Sequence, residues 1–239
     1  MGSCEETKIS AVICDLDGTL LNSEMATKGI VEEFLGKYGK VMRTDGENGR
    51  LGKTQKESAI AIVRDYELPL SPEQFIEEIT PLFKAKWAVA KALPGGERLI
   101  KHLHKHQVPL ALASNSLREY IDAKISHHDG WEECFSVILG SDQVKSGKPA
   151  PDLFLEAARR LGVDAADCLV IEDSLVGVKA AKAAGMRVLA VPSLSEADAA
   201  SLADAVHHSL LDFQPEYWGL PPFDDGNYGV ESGLSQEES

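Results

Sequence analysis

The sequence predicts an α/β protein, a doubly wound parallel sheet carrying a small helical insertion after its first strand. Three observations predict it. Short apolar runs alternate with stretches of helical spacing over most of the chain, as in βαβ units. Polar and acidic residues follow directly on those runs, where strands end. One segment, 24–93, breaks the alternation with helical patterns alone.

Ala11–Asp15 (AVICD) is a short apolar run with turn chemistry behind it, suited to a strand buried on both faces. Ile30–Tyr38, Lys56–Tyr66 and Pro72–Trp87 then carry apolar residues at helical spacing, with no convincing strand between them. Residues 24–93 therefore read as an inserted helical cap, and Pro94-Gly95-Gly96 marks the return to the core. Val108–Ala113 is a second strand, running into Ser114-Asn115-Ser116 and a helix over Leu117–His128. Ser136–Leu139 is a weaker third strand. Pro151–Leu161 is a helix with proline in its first turn, closing on Gly162. Cys168–Ile171 is the fourth strand, and Ser174–Ala184 a helix with a serine N-cap that stops at Gly185. Arg187–Val191 is the fifth strand. Right-handed crossovers join these strands into one Rossmann-like sheet. The core is then residues 1–23 with 94–223, and the polar stretch 224–239 is expected to be disordered.

A formal net charge of −14 weighs against binding to nucleic acid or to an anionic membrane surface. No apolar stretch reaches the roughly 18 residues that span a bilayer, and the polar Met1–Ser10 lacks a signal-peptide core. The four cysteines have no zinc-site spacing, and Cys14 and Cys168 lie inside apolar runs, which fits a reducing compartment. The expected address is the cytoplasm, with an organelle reached through a trimmed transit peptide as the alternative. A monomer is expected, with a weak homodimer as the alternative.

Four polar signals sit at the expected strand ends. Asp15-Leu16-Asp17-Gly18-Thr19 follows the first strand, where ligands of open α/β sheets bind. One aspartate there can attack as a nucleophile while its neighbour moves a proton, with Gly18 permitting the tight path between them. Ser114-Asn115 follows the second strand and can donate hydrogen bonds to an anion. Lys148, in Gly147-Lys148-Pro149, is a lysine with restricted reach before a helix. Glu172-Asp173 follows the fourth strand. Taken singly, each has a bland reading: a turn, a helix cap, a solvated lysine, or acids at a helix N-terminus. Jointly they line one sheet edge, where carboxylates can hold Mg²⁺ and lysine, hydroxyl and metal can neutralise a phosphoryl group. The histidines His102, His104, His106, His207 and His208 are expected at the surface.

These motifs resemble those of the haloacid dehalogenase-like hydrolase superfamily, from about Ile9 to Phe223. DLDGTL is similar to its first motif, the Ser114 region to its second, Lys148 to its third and Glu172-Asp173 to its fourth. The insert resembles the helical cap of the subgroup with small-molecule phosphatases and β-phosphoglucomutase. The resemblance implies Asp15 as nucleophile and Asp17 as general acid, then base. It implies Mg²⁺ held by Asp15, the Asp17 backbone carbonyl and Asp173, with Glu172 as a further ligand or supporting acid. Ser114, Asn115 and Lys148 would grip the phosphate. Lys53, in Gly52-Lys53-Thr54, is a candidate substrate contact from the cap, against a plain solvent-exposed lysine, and Glu24 resembles a hinge position.

A narrower resemblance runs through KYGK (Lys37–Lys40), GKT (Gly52–Thr54), DYELP (Asp65–Pro69), LASNS (Leu112–Ser116), HHDGWEECFSVILGSD (His127–Asp142) and YWGLPPF (Tyr217–Phe223). These are similar to the phosphatase half of plant riboflavin kinase/FMN hydrolases, and no kinase domain is expected in this chain. FMN is accordingly the expected substrate, hydrolysed to riboflavin and phosphate. Glycerol 3-phosphate, pseudouridine 5′-phosphate and sugar phosphates are the alternatives, ahead of a phosphomutase or a non-catalytic binding module. The cap aromatics Phe34, Tyr38, Phe83 and Trp87 are expected in the cap's own core, any one of them also available as a platform for a flavin ring.

Overall fold

The computed structural model describes residues 8–43, 54–192 and 194–224. Along the chain, β1 (Ala11–Cys14) is followed by α1 (Ser23–Thr27), α2 (Ile30–Gly36), α3 (Gln55–Asp65), α4 (Pro72–Trp87) and α5 (Gly96–Lys105). Then come β2 (Leu110–Ala113), α6 (Arg118–Ile125), α7 (Trp131–Cys134), β3 (Val137–Leu139) and α8 (Asp152–Leu161). The chain continues through β4 (Cys168–Glu172), α9 (Leu175–Ala183), β5 (Arg187–Ala190) and β6 (Ala205–Val206). The six strands form one parallel sheet in the order β3-β2-β1-β4-β5-β6.

Every residue of β1, β2 and β4 is buried, because helices cover both faces of the sheet. The two-residue period sends alternate side chains into two cores. Val12, Cys14, Leu110, Leu112 and Ile171 pack with Leu99, Leu103, Ile121 and Trp131 on one face. Ala11, Ile13, Ala113 and Val170 pack with Phe154, Ala157, Val178 and Ala181 on the other. β2 begins two residues later than the sequence pattern, after Pro109, which has no N–H for the ladder. Pro109 still accepts from Val12 through its carbonyl, at 3.0 Å. The edge strand β6 escapes sequence reading because two residues show no period.

The helices between β1 and β2 have a core of their own. Phe34 meets Phe75 edge to face at 5.1 Å, surrounded by Ile30, Leu35, Ile62 and Ile79. Both long helices there start in capping boxes, Thr54 with Glu57 and Ser71 with Gln74.

The histidines divide. His102 is buried, with Nε2 2.9 Å from the Pro221 carbonyl, correcting its expected place at the surface. It stands one helical turn from His106, so the two rings meet at 4.5 Å, tilted by 49°, rather than diverging. His106 and Lys105 both reach Asp224, at 3.0 and 2.7 Å. These contacts pin residues 221–224 along α5, and they already use the nitrogen and carboxylate atoms that would otherwise suit a metal. Residues 225–239, expected to be disordered, lie outside the described residues. Among the described residues no helix is long and apolar enough to cross a membrane.

Candidate active site

The loop leaving β1 is tight. Leu20 and Leu21 both donate to the Leu16 carbonyl, at 3.0 and 2.9 Å, and Gly18 donates to Leu21 at 2.9 Å. Gly18 is required twice over: its φ is +88°, and a Cβ there would lie 2.2 Å from Asp173 Oδ2. That close approach lets Thr19 donate to Asp173 Oδ1 at 3.3 Å, tying the β1 loop to the end of β4.

Asp15 and Lys148 are both buried, at 6% and 4% exposure. The Lys148 ammonium donates to Asp15 at 2.5 Å and to Glu172 at 2.6 Å. Its position is fixed from behind by Asn115, whose Oδ1 accepts from the Lys148 N–H at 2.8 Å and whose Nδ2 donates to the Lys148 carbonyl at 3.1 Å. Gly147 makes room for this clasp, since a Cβ would sit 2.5 Å from Asn115 Oδ1. Glu172 is held in turn by the first turn of α9. Its Oε2 accepts from the backbone N–H groups of Asp173 and Ser174 and from the Ser174 hydroxyl, each at 3.0 Å, where a helix N-terminus favours negative charge. Ser114 is buried at the end of β2, its Oγ accepting from Ser116 N–H at 3.1 Å.

Asp17 points elsewhere. Lys124, from α6, donates to both its oxygens at 2.7 Å. Ser23 adds a bond at 2.6 Å to Oδ1, and Ser116 one at 2.9 Å to Oδ2.

Electrostatics separates the two aspartates. Burial pushes the Asp15 carboxyl up to about 7, opposed by Lys148 and reinforced by Glu172 and Asp17. Burial also acts to raise Asp17, but Lys124 and the two hydroxyls outweigh it and hold the group below the ordinary carboxylate range. Burial disfavours the Lys148 ammonium, yet Asp15 and Glu172 more than offset it and raise its pKa.

The donor set suits a hard divalent cation. Asp15, Glu172 and Asp173 bring carboxylate oxygens within 4.8 Å of one another. With Asp17 added, four carboxylates face the ammoniums of Lys148 and Lys124, and one divalent ion would balance the surplus.

Beside Asp17 opens a cleft of about 230 Å³ between core and cap. Asn115, Ser116, Tyr120 and Lys124 line it from the core, while Gln55, Phe75, Ile76, Phe83 and Trp87 line it from α3 and α4. Phe83 and Trp87 stack at 6.4 Å with an interplanar angle of 9°. Both thus reach the cleft rather than only the cap's own core, whereas Phe34 is fully buried there and Tyr38 turns to Glu78.

The structure therefore brings together Asp15, Lys148, Glu172 and Asp173, sets Asp17 beside them, and uses Asn115 to hold the Lys148 loop. Lys53 and the Glu24 side chain lie outside the described residues. Thr54, next to Lys53 in the chain, has its methyl 3.2 Å from where a Gly147 Cβ would stand, so this end of α3 faces the Lys148 loop. Sequence reasoning missed Lys124, Ser116 and Ser23. One signal was present for Lys124: it falls in the buried stripe Tyr120, Ile121, Lys124, Ile125, where a lysine needs a partner.

This fold and this set of carboxylates and lysines suit an enzyme with a Rossmann-like core that works at the carboxyl edge of its sheet. The chain belongs to the haloacid dehalogenase-like hydrolase family, whose model matches residues 9–185. It is 55% identical over 219 residues to the bifunctional riboflavin kinase/FMN phosphatase of Arabidopsis thaliana, covering 90% of this chain and 57% of that protein. It is 39% identical over 233 residues to (DL)-glycerol-3-phosphatase 2 of the same plant, covering 92% and 95%. Among solved structures it resembles CbbY from Rhodobacter sphaeroides in complex with phosphate, with a TM-score of 0.75, 27% identity, and coverage of 84% of this chain and 95% of that one.

Proposed function

We propose that the chain hydrolyses a small phosphate monoester, FMN by preference, through a phosphoaspartate on Asp15. The observation that carries this reading is the buried Asp15, gripped by Lys148 beside Glu172-Asp173, with Asp17 held separately two residues on.

In the first half-reaction an Asp15 oxygen attacks phosphorus and the bond to the leaving oxygen breaks. Asp17 supplies the proton that the leaving oxygen takes up. In the second half water attacks the phosphoaspartate, Asp17 accepts its proton, and the Asp15 carboxylate is released. Lys148 balances charge on Asp15 and on the phosphoryl oxygens, and the Ser114 hydroxyl offers a further donor. Asn115 acts by keeping Lys148 in place. Asp15, Asp173 and the Asp17 main-chain carbonyl would hold Mg²⁺, with Glu172 behind them. Once bound, Mg²⁺ supplies positive charge against the phosphoryl oxygens. Lys53 is carried forward as a contact to the leaving group.

FMN is supported by the similarity to the FMN phosphatase and by the apolar, aromatic lining of the cleft. At about 230 Å³ the cleft is smaller than the roughly 300–1,000 Å³ usual for ligands of that size. The cap must therefore part further from the core to admit an isoalloxazine ring. A monomer in the cytoplasm is the assembly and address proposed, in keeping with the buried free thiols of Cys14, Cys134 and Cys168.

The test is kcat/KM for FMN against glycerol 3-phosphate, pseudouridine 5′-phosphate and sugar phosphates, with free phosphate and isomer both assayed. FMN should lead. A competitor ahead by tenfold, about 1.4 kcal/mol, would replace FMN and leave the phosphatase reading standing. Activity should disappear in EDTA, return with Mg²⁺ and be antagonised by Ca²⁺, which takes more ligands at longer distances.

A further inference from the structure

Asp17 has no free side to work from in this arrangement. Its two oxygens accept four hydrogen bonds, from Ser23, Ser116 and twice from Lys124. A carboxylate filled in this way must lose a partner before it can take or give a proton at the leaving oxygen. Which partner moves can be read from where each is anchored. Ser116 belongs to the loop after β2, fixed by Ser141 donating to its carbonyl at 3.0 Å. Ser23 is the first residue of α1, at the junction where the core passes into the cap. Lys124 is on a core helix but touches the cap as well: its ammonium lies 5.1 Å from the Trp87 ring.

The contact around Trp87 is extensive. Its ring meets Tyr120 at 4.9 Å, and Tyr120 stands one helical turn before Lys124, so α6 presents both to the cap on one face. Lys84, next to Phe83 and about one turn before Trp87 on α4, lies 5.3 Å over the Tyr120 ring. Lys124 is only 4% exposed and Trp87 only 7%, so this cation meets its ring out of water, where such contacts are strongest. Among the described residues Lys124 is the one cation lining the cleft.

We infer that Lys124 is a positioning residue that ties the seating of the cap, through Trp87, to the orientation of Asp17. With α4 against α6, the Trp87 ring and the Asp17 carboxylate share the Lys124 ammonium. When α4 moves away, the ammonium loses the ring and its covered environment, and the grip on Asp17 changes with it. The same cap movement shifts Ser23. Admission of substrate and alignment of Asp17 thereby become one event.

This inference rests on the phosphatase reading, and the experiment separates the two. Wild-type turnover of p-nitrophenyl phosphate and glycerol 3-phosphate tests that reading alone. The variants then test the inference through kcat/KM, which reports only steps up to breaking of the ester bond. A poor alkoxide leaving group needs a proton from a well-aligned Asp17, whereas p-nitrophenolate leaves with little help. Lys124→Met should lower kcat/KM for glycerol 3-phosphate about 100-fold and for p-nitrophenyl phosphate less than about fivefold. Lys124→Arg, which can still offer two bonds to the carboxylate, should recover part of the difference. Trp87→Phe keeps a ring and should be mild, while Trp87→Ala should reproduce the selective loss on glycerol 3-phosphate. In Lys124→Met, adding Trp87→Ala should then cost little more. Equal losses on both esters, or losses from the two residues that multiply, would overturn the inference. If Lys124→Met does not fold, Trp87→Ala decides alone: an unchanged ratio between the two esters refutes the coupling.

Discussion

Asp15 with Lys148 is held by partners from the α/β core, whereas Asp17 with Lys124 sits where that core meets the cap. The first pair is sealed, Lys148 and Asp15 having side-chain exposures of 2% and 8%. In the second, Lys124 is covered but Asp17 keeps 27%. The contrast matches the two jobs proposed for these aspartates. An attacking carboxylate needs a fixed place, and its lysine is locked through its own backbone by Asn115 and through its ammonium by Glu172. A carboxylate proposed to carry a proton must change partners during turnover, and its lysine leans on the cap, the part proposed to move when substrate enters.

The largest effect that would sharpen this contrast is expected at Lys148. Lys148→Met strands Asp15 and Glu172 against each other without a counter-charge. Breaking a buried pair from one side costs about 3–5 kcal/mol, and phosphatase activity should fall to background. Urea unfolding and a phosphate-release assay check the two parts. Retention of wild-type stability would mean that Lys148 is not the charge on which this half depends.

Lys124→Met should cost less, about 1–2 kcal/mol, because Asp17 is partly solvated and keeps Ser23 and Ser116. The same unfolding measurement applies. A loss equal to that of Lys148→Met would break the comparison, since it would make the cap-facing pair as dependent on burial as the core pair.

The core half was also the half legible in the sequence. Asp15, Lys148, Glu172 and Asp173 stand at strand ends or in a restricted loop, and the apolar runs that locate the strands locate them too. The parallel, doubly wound character of the sheet was legible for the same reason. Lys124 could not be placed that way. It sits in the last turn of a helix, away from any strand end, and its importance depends on α6 turning that face toward both Asp17 and Trp87, with Trp87 and Lys124 standing 37 residues apart in the chain. Asn115 was legible as a candidate phosphate donor, but its clasp on the Lys148 loop was not. A side-chain amide after a strand suggests a ligand donor, and nothing local shows that both its ends are committed to the Lys148 peptide. His102 shows the same limit, since its burial comes from the distant Pro221–Phe223 segment.

Asp204 calibrates both halves, being an ion pair that belongs to neither. It accepts from Lys182 at 2.8 and 3.0 Å and from the Val188 N–H at 2.7 Å, joining the turn before β6 to α9 and β5. Partial burial acts to raise its pKa, but Lys182 and the Val188 N–H outweigh that and lower it. A carboxyl depressed in the fold stabilises the protein above its unfolded value near 3.9 and loses that contribution as pH falls through the lower folded value. Asp204→Asn should therefore cost about 0.5–1 kcal/mol at neutral pH, a modest figure because both side chains are more than a third exposed and solvent screens them. The cost should begin to shrink only below the unfolded value and approach zero once pH has fallen through the lower folded value, where the native carboxyl is itself protonated. Activity on any ester should stay at the wild-type level, because the pair lies outside both halves of the site. Thermal unfolding at pH 7 and pH 3 checks the sign. A loss that persists undiminished in acid would assign the effect to packing rather than charge, and would remove this pair as the small-effect standard against which Lys148 and Lys124 are compared.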